Sequence, residues 1–130
     1  MSEARVHLQR LARSQAEESA NAFASLLRQE GDQIRRDVFE LLSPGQSASG
    51  RLQAGYTVVY PRCETRGHAH ADREEVYYFT RGSGLMIVGE EELEVAAGDT
   101  LYVAPGVFHK TRVSGDFPLE CFWITIMLSI

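Results

Sequence analysis

Three of the four histidines in this 130-residue chain fall in two short stretches that could together hold a metal ion. His68 and His70 lie two residues apart within GHAHADREEVYYFTRG, and His109 ends the later stretch APGVFH. Side chains two residues apart on a β-strand point to the same face. If residues 66–70 form a strand, both imidazoles face the same way and provide half of a metal site.

A carboxylate close to these histidines would complete the ligand set. A short turn after His70 returns Glu75 beside the imidazoles, and His109 opens a later strand. Imidazole and carboxylate together suit one divalent transition metal ion, such as Fe, Mn, Ni, Co or Zn. We therefore predict His68, His70, Glu75 and His109 as metal ligands, with open positions for water or substrate.

The neighbouring residues leave some alternatives open. Glu74 competes with Glu75 as the carboxylate ligand, and Glu75 is preferred. If Glu75 points inward, alternation along the strand makes Tyr77 and Phe79 line the same pocket, although ordinary core packing also explains both rings. Arg66 could point towards an anionic substrate, but a solvated loop arginine is the preferred interpretation.

Short strands alternate with turns through most of the chain, which favours an all-β sandwich or barrel. Residues 34–42 fit both a short helix and a strand. Gly, Pro, Ser and Asp clusters separate the remaining apolar runs. The predicted strands cover residues 56–60, 66–70, 75–80, 85–88, 92–95, 100–103, 109–113 and 119–127.

In the N-terminal segment the apolar residues recur with the spacing of a helix and not of a strand. Leu8, Ala12, Ala16, Phe23 and related residues recur at steps of three or four, which predicts an α-helix over residues 3–30. The predicted organisation is a helical arm at 1–32, serving packing or dimerisation, followed by one β-barrel domain at 33–130.

The charge and composition of the chain argue against nucleic acids and membranes as binding partners. A net charge of -5 and a pI near 5.3 argue against a nucleic-acid surface, because phosphate backbones are bound by clustered Lys and Arg. No apolar run is long enough to span a membrane, and no signal peptide is evident. Cys63 and Cys121 are interpreted as reduced thiols of a cytoplasmic protein. A small molecule is the expected partner.

The same residues resemble the cupin superfamily. Its first motif contains an HXH pair, a glutamate after three or four residues and a glycine after six more, matching His68, His70, Glu75 and Gly82. Its second motif is matched by Gly98, Gly106 and His109. The sequence departs from the motifs at Arg62, Ala104 and Val113, none of which is a ligand position.

The resemblance implies a small single-domain, metal-binding cupin. Its fold would be a double-stranded β-helix, or jelly-roll barrel, here with an N-terminal α-helix, and dimers are common in the superfamily, so a homodimer is expected. The superfamily contains dioxygenases, isomerases, lyases and cyclases as well as non-catalytic binding domains. A metal-dependent enzyme is therefore the leading hypothesis, and a metal-assisted binding or sensing module is the alternative.

The two hypotheses differ in what else the pocket must contain. An enzyme needs a titratable group within reach of the substrate in addition to the metal ligands. The sequence offers five candidates for this acid or base and does not select among them: Tyr56, Tyr60, Tyr77, Tyr102 and Glu64.

Overall fold

The structure is a computed structural model that describes residues 6–11, 14–17 and 35–129. The described residues include eight β-strands and a 3-10 turn at Pro44–Gln46. The strands are β1 Arg36–Leu42, β2 Leu52–Val59, β3 Arg73–Arg81, β4 Ser83–Val88, β5 Glu91–Ala96, β6 Thr100–Val103, β7 His109–Arg112 and β8 Leu119–Met127. The described residues contain no helix that is long and apolar enough to cross a membrane.

The strands form two antiparallel sheets. One sheet has five strands in the order β1-β2-β8-β3-β6, and the other has three in the order β5-β4-β7. Chain neighbours β4 and β5 pair as a hairpin, whereas β8 returns from the C-terminus to lie between β2 and β3. The predicted all-β architecture is confirmed.

Alternation along the strands places the core between the sheets. In β3, Phe79 is 1% exposed and Glu75 is 6% exposed, while Val76 and Tyr78 point outward and are 39% and 48% exposed. The buried cluster around Phe79 draws on both sheets: Val59, Met86, Val95, Val113, Leu119 and Cys121. This burial of apolar surface is the main term that stabilises the fold.

The predicted strand at residues 66–70 is wrong. Only isolated bridges occur there, from Glu64 to Arg112 and from His68 to His109. Gly67 adopts a φ of 83°, in the left-handed region, so the backbone cannot continue as an extended strand at that point. The ambiguous segment 34–42 contains β1, and β2 begins four residues before the predicted strand at 56–60.

The predicted N-terminal α-helix is also wrong for the part of that segment that is described. Residues 6–11 and 14–17 contain no α-helix. The N–H of Glu17 instead donates to the carbonyl of Val38 in β1 at 3.1 Å, and Val6 and Leu8 are 86% and 71% exposed. Helices that bury no apolar face are marginal in water. The rest of the predicted helix lies outside the described residues.

Candidate metal centre

A backbone bridge brings two of the predicted ligands together. The N–H of His68 donates to the carbonyl of His109 at 3.0 Å, and the N–H of His109 donates to the carbonyl of His68 at 2.9 Å. His109 begins β7, and His68 lies in the loop that precedes β3. The pairing sets the two imidazole rings 4.4 Å apart, edge to face.

Glu75 completes a tight group with these two histidines. One ligand atom from each of His68, Glu75 and His109 lies within 4.8 Å of the others. Nε2 of His109 is 2.8 Å from Oε2 of Glu75, and the side chains are only 4% and 7% exposed. His68 is the exposed member, so the cluster is accessible from one side.

The environment of His109 fits a metal ligand. Its Nδ1 lies 3.0 Å from the carbonyl of Val107; donation of a proton there leaves Nε2 as the atom with the free lone pair. Nε2 is buried and has no hydrogen-bond partner with proper geometry among the described residues, although the Glu75 carboxylate is close. A lone pair and a carboxylate oxygen that converge in this way are satisfied by a shared cation. The cluster is consistent with one metal ion.

His70 borders this group without joining it. Its Nε2 is 3.7 Å from Oε1 of Glu75, and its side chain is 34% exposed. Its ring centroid lies 4.4 Å from that of His68 and 6.4 Å from that of His109. The backbone of His70 is fixed, because its carbonyl accepts a hydrogen bond from the N–H of Gly106 at 2.8 Å.

The two competing carboxylates lie on opposite sides of β3. Glu75 faces the cluster, whereas Oε1 of Glu74 accepts a hydrogen bond from the hydroxyl of the exposed Tyr102 at 2.7 Å. Of the two, Glu75 alone can contact a metal ion held by His68 and His109.

The cluster opens into a cavity of about 510 Å³ between the sheets. This is within the range of roughly 300–1,000 Å³ typical of small-molecule sites. The predicted pocket residues Tyr77, Phe79 and Arg66 all line it. Tyr77 also packs against the core, as does Trp123, so these rings form the wall of the cavity and part of the core.

Charge and burial shift the pKa values of the cluster in opposite directions. Burial raises the pKa of Glu75, but the nearby His109 and the hydroxyl of Tyr77 lower it by more, so the carboxylate stays ionised. Burial lowers the pKa of His109, and Glu75 and the Val107 carbonyl raise it by more. Burial and the Glu75 charge raise the pKa of Tyr77, which therefore remains a hydrogen-bond donor to Glu75 at 2.8 Å.

We predict that the imidazole of His68 in the metal-free protein titrates near pH 4. Partial burial, followed by the charges of His109 and His70, lowers its pKa from the ordinary 6.5 to about 4. Between these values the unfolded chain binds more protons, so this residue makes the free energy of unfolding fall as the pH drops from 6.5 to 4. An NMR titration of the ring protons measures the midpoint. A midpoint near 6.5, equal to that of the urea-unfolded chain, would contradict the prediction.

Each of the five acid or base candidates has a hydrogen-bond or ion-pair partner, and Tyr77 alone among the five lines the cavity. Tyr56 hydrogen-bonds to Glu120, Tyr60 to Asp37, Tyr102 to Glu74 and Tyr77 to Glu75. Glu64 forms an ion pair with Lys110 at 2.6 Å. Two charged residues that the sequence did not suggest, Glu17 and Arg36, line the cavity instead.

Comparison with known proteins supports this fold. The chain is 36% identical over 81 residues to an uncharacterized protein of Methanocaldococcus jannaschii, covering 62% of this chain and 65% of that protein. It is 32% identical over 103 residues to a glucose-6-phosphate isomerase of Thermococcus litoralis, covering 69% of this chain and 53% of the isomerase. The chain thus spans between half and two thirds of the length of these curated relatives.

A solved structure extends the match across the fold. A predicted oxalate decarboxylase from Thermotoga maritima superposes with a TM-score of 0.75 at 21% identity, covering 92% of this chain and 97% of that one. The sequence profile of the cupin domain matches residues 51–125. This range contains both histidine stretches, Glu75, the six strands β2 to β7 and most of β8. The chain belongs to the cupin family.

Proposed function

We propose that this protein is a metal-dependent enzyme that isomerises a small α-hydroxy carbonyl compound. The observation that carries the proposal is the cluster of His68, Glu75 and His109 on the wall of a 510 Å³ cavity. A metal ion held there would face a space large enough for a substrate, with His68 on the accessible side.

His68, Glu75 and His109 would hold the metal ion, with His70, whose Nε2 is 3.7 Å from Glu75, as the fourth ligand. When bound, the ion would act as a Lewis acid on a carbonyl or hydroxyl oxygen of the substrate. Tyr77 would keep Glu75 oriented through its hydrogen bond, so that the carboxylate serves as a ligand and not as a base.

Isomerisation is preferred over dioxygenase, lyase or cyclase chemistry because of the isomerase relative. A glucose-6-phosphate isomerase interconverts an aldose and a ketose, and the one from Thermococcus litoralis is 32% identical to this chain over 103 residues. The solved structure named as a predicted oxalate decarboxylase is too distant to inform the reaction, because at 21% identity it supports the fold alone.

The reaction also requires a group that moves a proton. Aldose–ketose isomerisation moves a proton from the carbon that bears the hydroxyl group to the neighbouring carbonyl carbon, and it moves the hydroxyl proton to the carbonyl oxygen. Of the described carboxylates that line the cavity, Glu17 lies outside the metal cluster. The backbone of Glu17 is held on β1 by its hydrogen bond to Val38. We therefore assign proton transfer to the Glu17 carboxylate.

Glu17→Gln is expected to lower turnover by about 100-fold or more, because general acid–base catalysis contributes roughly 10²–10⁴-fold. Metal content is expected to stay unchanged, since Glu17 is not a ligand. The measurement is NMR of aldose–ketose pairs, including glucose 6-phosphate and fructose 6-phosphate, with protein loaded in turn with Fe, Mn, Ni, Co or Zn. Glu91→Gln is the matched control, because that carboxylate is exposed and does not line the cavity.

One observation favours the alternative of a metal-assisted binding module. The tyrosine hydroxyls considered as acids or bases are all engaged with carboxylates. If no metal-loaded form converts any sugar or sugar phosphate, yet the protein binds one of them, the isomerase proposal fails and the binding module stands. If Glu17→Gln turns over at the wild-type rate, the assignment of Glu17 fails.

A further inference from the structure

The cations that line the cavity are of two kinds. Arg73 makes a two-point contact with Asp72 at 2.9 and 3.2 Å, and Lys110 is paired with Glu64 at 2.6 Å. Arg36 and Arg66 line the same cavity, and the side chain of neither makes a hydrogen bond or an ion pair with any residue that the structure describes. Among the residues that the structure describes, two of these four cations thus have a carboxylate partner and two do not.

The sheet register shows that Arg36 faces inward. Arg36 in β1 pairs with Val59 in β2, and Val38 pairs with Thr57. Directly opposed residues of antiparallel strands share a face, and Val59, Thr57 and Val38 all line the cavity. An inward position at the end of a barrel strand is ordinarily apolar, so a half-buried arginine there is costly unless an anion compensates its charge.

Arg66 reaches the cavity from another direction. It is exposed and lies in the loop two residues before His68, next to the left-handed turn at Gly67. A bound divalent metal ion would add further positive charge close by.

We propose that Arg36 and Arg66 form an anion subsite that binds the phosphate group of a phosphorylated substrate while the metal centre binds its hydroxy carbonyl end. Phosphate is favoured over carboxylate because a phosphate monoester carries a charge of about −1.5 to −2 at neutral pH, which matches two guanidinium groups. Arginine also donates two parallel hydrogen bonds to phosphate oxygens. The subsite specifies the substrate class of the proposed function and rests on that function, because the metal centre would bind the other end of the same substrate.

The test compares two probes that differ only in the phosphate. Glucose 6-phosphate and glucose are titrated into the metal-loaded protein by calorimetry, with inorganic phosphate and acetate as further probes. Wild-type protein is expected to bind glucose 6-phosphate more tightly than glucose, and phosphate more tightly than acetate. Arg36→Ala and Arg66→Ala are each expected to weaken glucose 6-phosphate binding by about 10- to 100-fold while leaving glucose binding unchanged.

Two further variants make the result specific. Arg81→Ala removes the same charge from an exposed position at the end of β3 outside the cavity and is expected to bind like wild type. Arg36→Lys is expected to recover part of the affinity, because lysine keeps the charge and loses the two-point contact. Thermal melts and metal analysis show that each variant is folded and loaded. Equal binding of glucose 6-phosphate by wild type and both alanine variants would overturn the proposal, as would an equal loss in Arg81→Ala.

The outcomes separate this proposal from the isomerase proposal. If binding of glucose 6-phosphate depends on the two arginines but no aldose–ketose pair is converted, the subsite is supported and the isomerase proposal is contradicted. If a phosphorylated substrate is converted and its KM is the same in wild type, Arg36→Ala and Arg66→Ala, the isomerase proposal is supported and the subsite is contradicted.

Discussion

Replacing His109 with alanine is expected to reduce the affinity for divalent metal by at least about 100-fold, since loss of residues that merely support ligands already costs 10–100-fold. The physical reason is that the buried Nε2 of His109 lies 2.8 Å from the Glu75 carboxylate and has no hydrogen-bond partner among the described residues, while its Nδ1 lies against the Val107 carbonyl. The measurement is elemental analysis after dialysis against limiting metal. Wild-type protein is expected to hold one ion per chain.

His7→Ala is the matched control, because His7 is an exposed histidine that does not line the cavity; its metal content is expected to equal that of wild type. His70→Ala is expected to cost about 10-fold, less than His109→Ala, because its Nε2 lies 3.7 Å from Glu75 and outside the tight group. Full occupancy in His109→Ala, or a metal-free wild type, would refute the metal centre.

Gly82→Ala is expected to lower the free energy of unfolding by about 3 to 5 kcal/mol through two added penalties. Gly82 has a φ of 80°, a left-handed conformation that costs alanine about 1 to 2 kcal/mol. A Cβ at this position would also overlap the carbonyl oxygen of Pro118 and lie 3.2 Å from the Cα of Leu119. Both obstacles are backbone atoms at the start of β8, so they cannot move aside without disturbing the sheet.

Gly106→Ala separates the two penalties. Gly106 has nearly the same φ, 79°, but a Cβ there would meet no atom within 4 Å. Urea unfolding of both variants is expected to show a loss of about 1 to 2 kcal/mol for Gly106→Ala. The excess loss in Gly82→Ala measures the overlap with Pro118. Equal losses in the two variants would show that the overlap is relieved, contrary to the expectation.

The sequence was sufficient to predict the strands in which apolar and polar residues alternate and which are flanked by turn residues. β6 and β8 have the predicted bounds, and β4 and β5 differ from them by one or two residues. In β3 the alternation also predicted which residues face inward, because Glu75 and Phe79 are buried and Val76 and Tyr78 are exposed. Local periodicity carries this information since the side-chain period of a strand is fixed at two.

Two local predictions failed because a single feature overrode the pattern. Residues 66–70 share the composition of a strand, but Gly67 takes a left-handed conformation and only His68 forms a bridge. The N-terminal pattern fits a helix, yet Glu17 donates its N–H to Val38 of β1. Periodicity does not indicate whether a partner surface exists, and a helix with a narrow, alanine-rich stripe depends on one.

Arg36 and Glu17 were missed for a different reason. Both lie far along the chain from the histidine stretches, and only the pairing of β1 with β2 brings them to the cavity. As long as residues 34–42 fitted helix and strand equally, the face of Arg36 could not be assigned. Arg36 stands between the charged residues Arg35 and Asp37, so its position in the sequence did not single it out, and only the strand register shows that it faces the cavity.

The backbone bridge between His68 and His109 makes the geometry of the metal cluster independent of the shape of the cavity walls. The spacing of these residues is set by two main-chain hydrogen bonds, at 3.0 and 2.9 Å, and therefore does not depend on the identity of the side chains around the cavity. Substitutions in the walls can reshape the space next to the cluster while its geometry is retained. In such a scaffold, substitutions in the cavity walls can change which substrate is bound, and new substrate preferences can evolve while the metal cluster is retained.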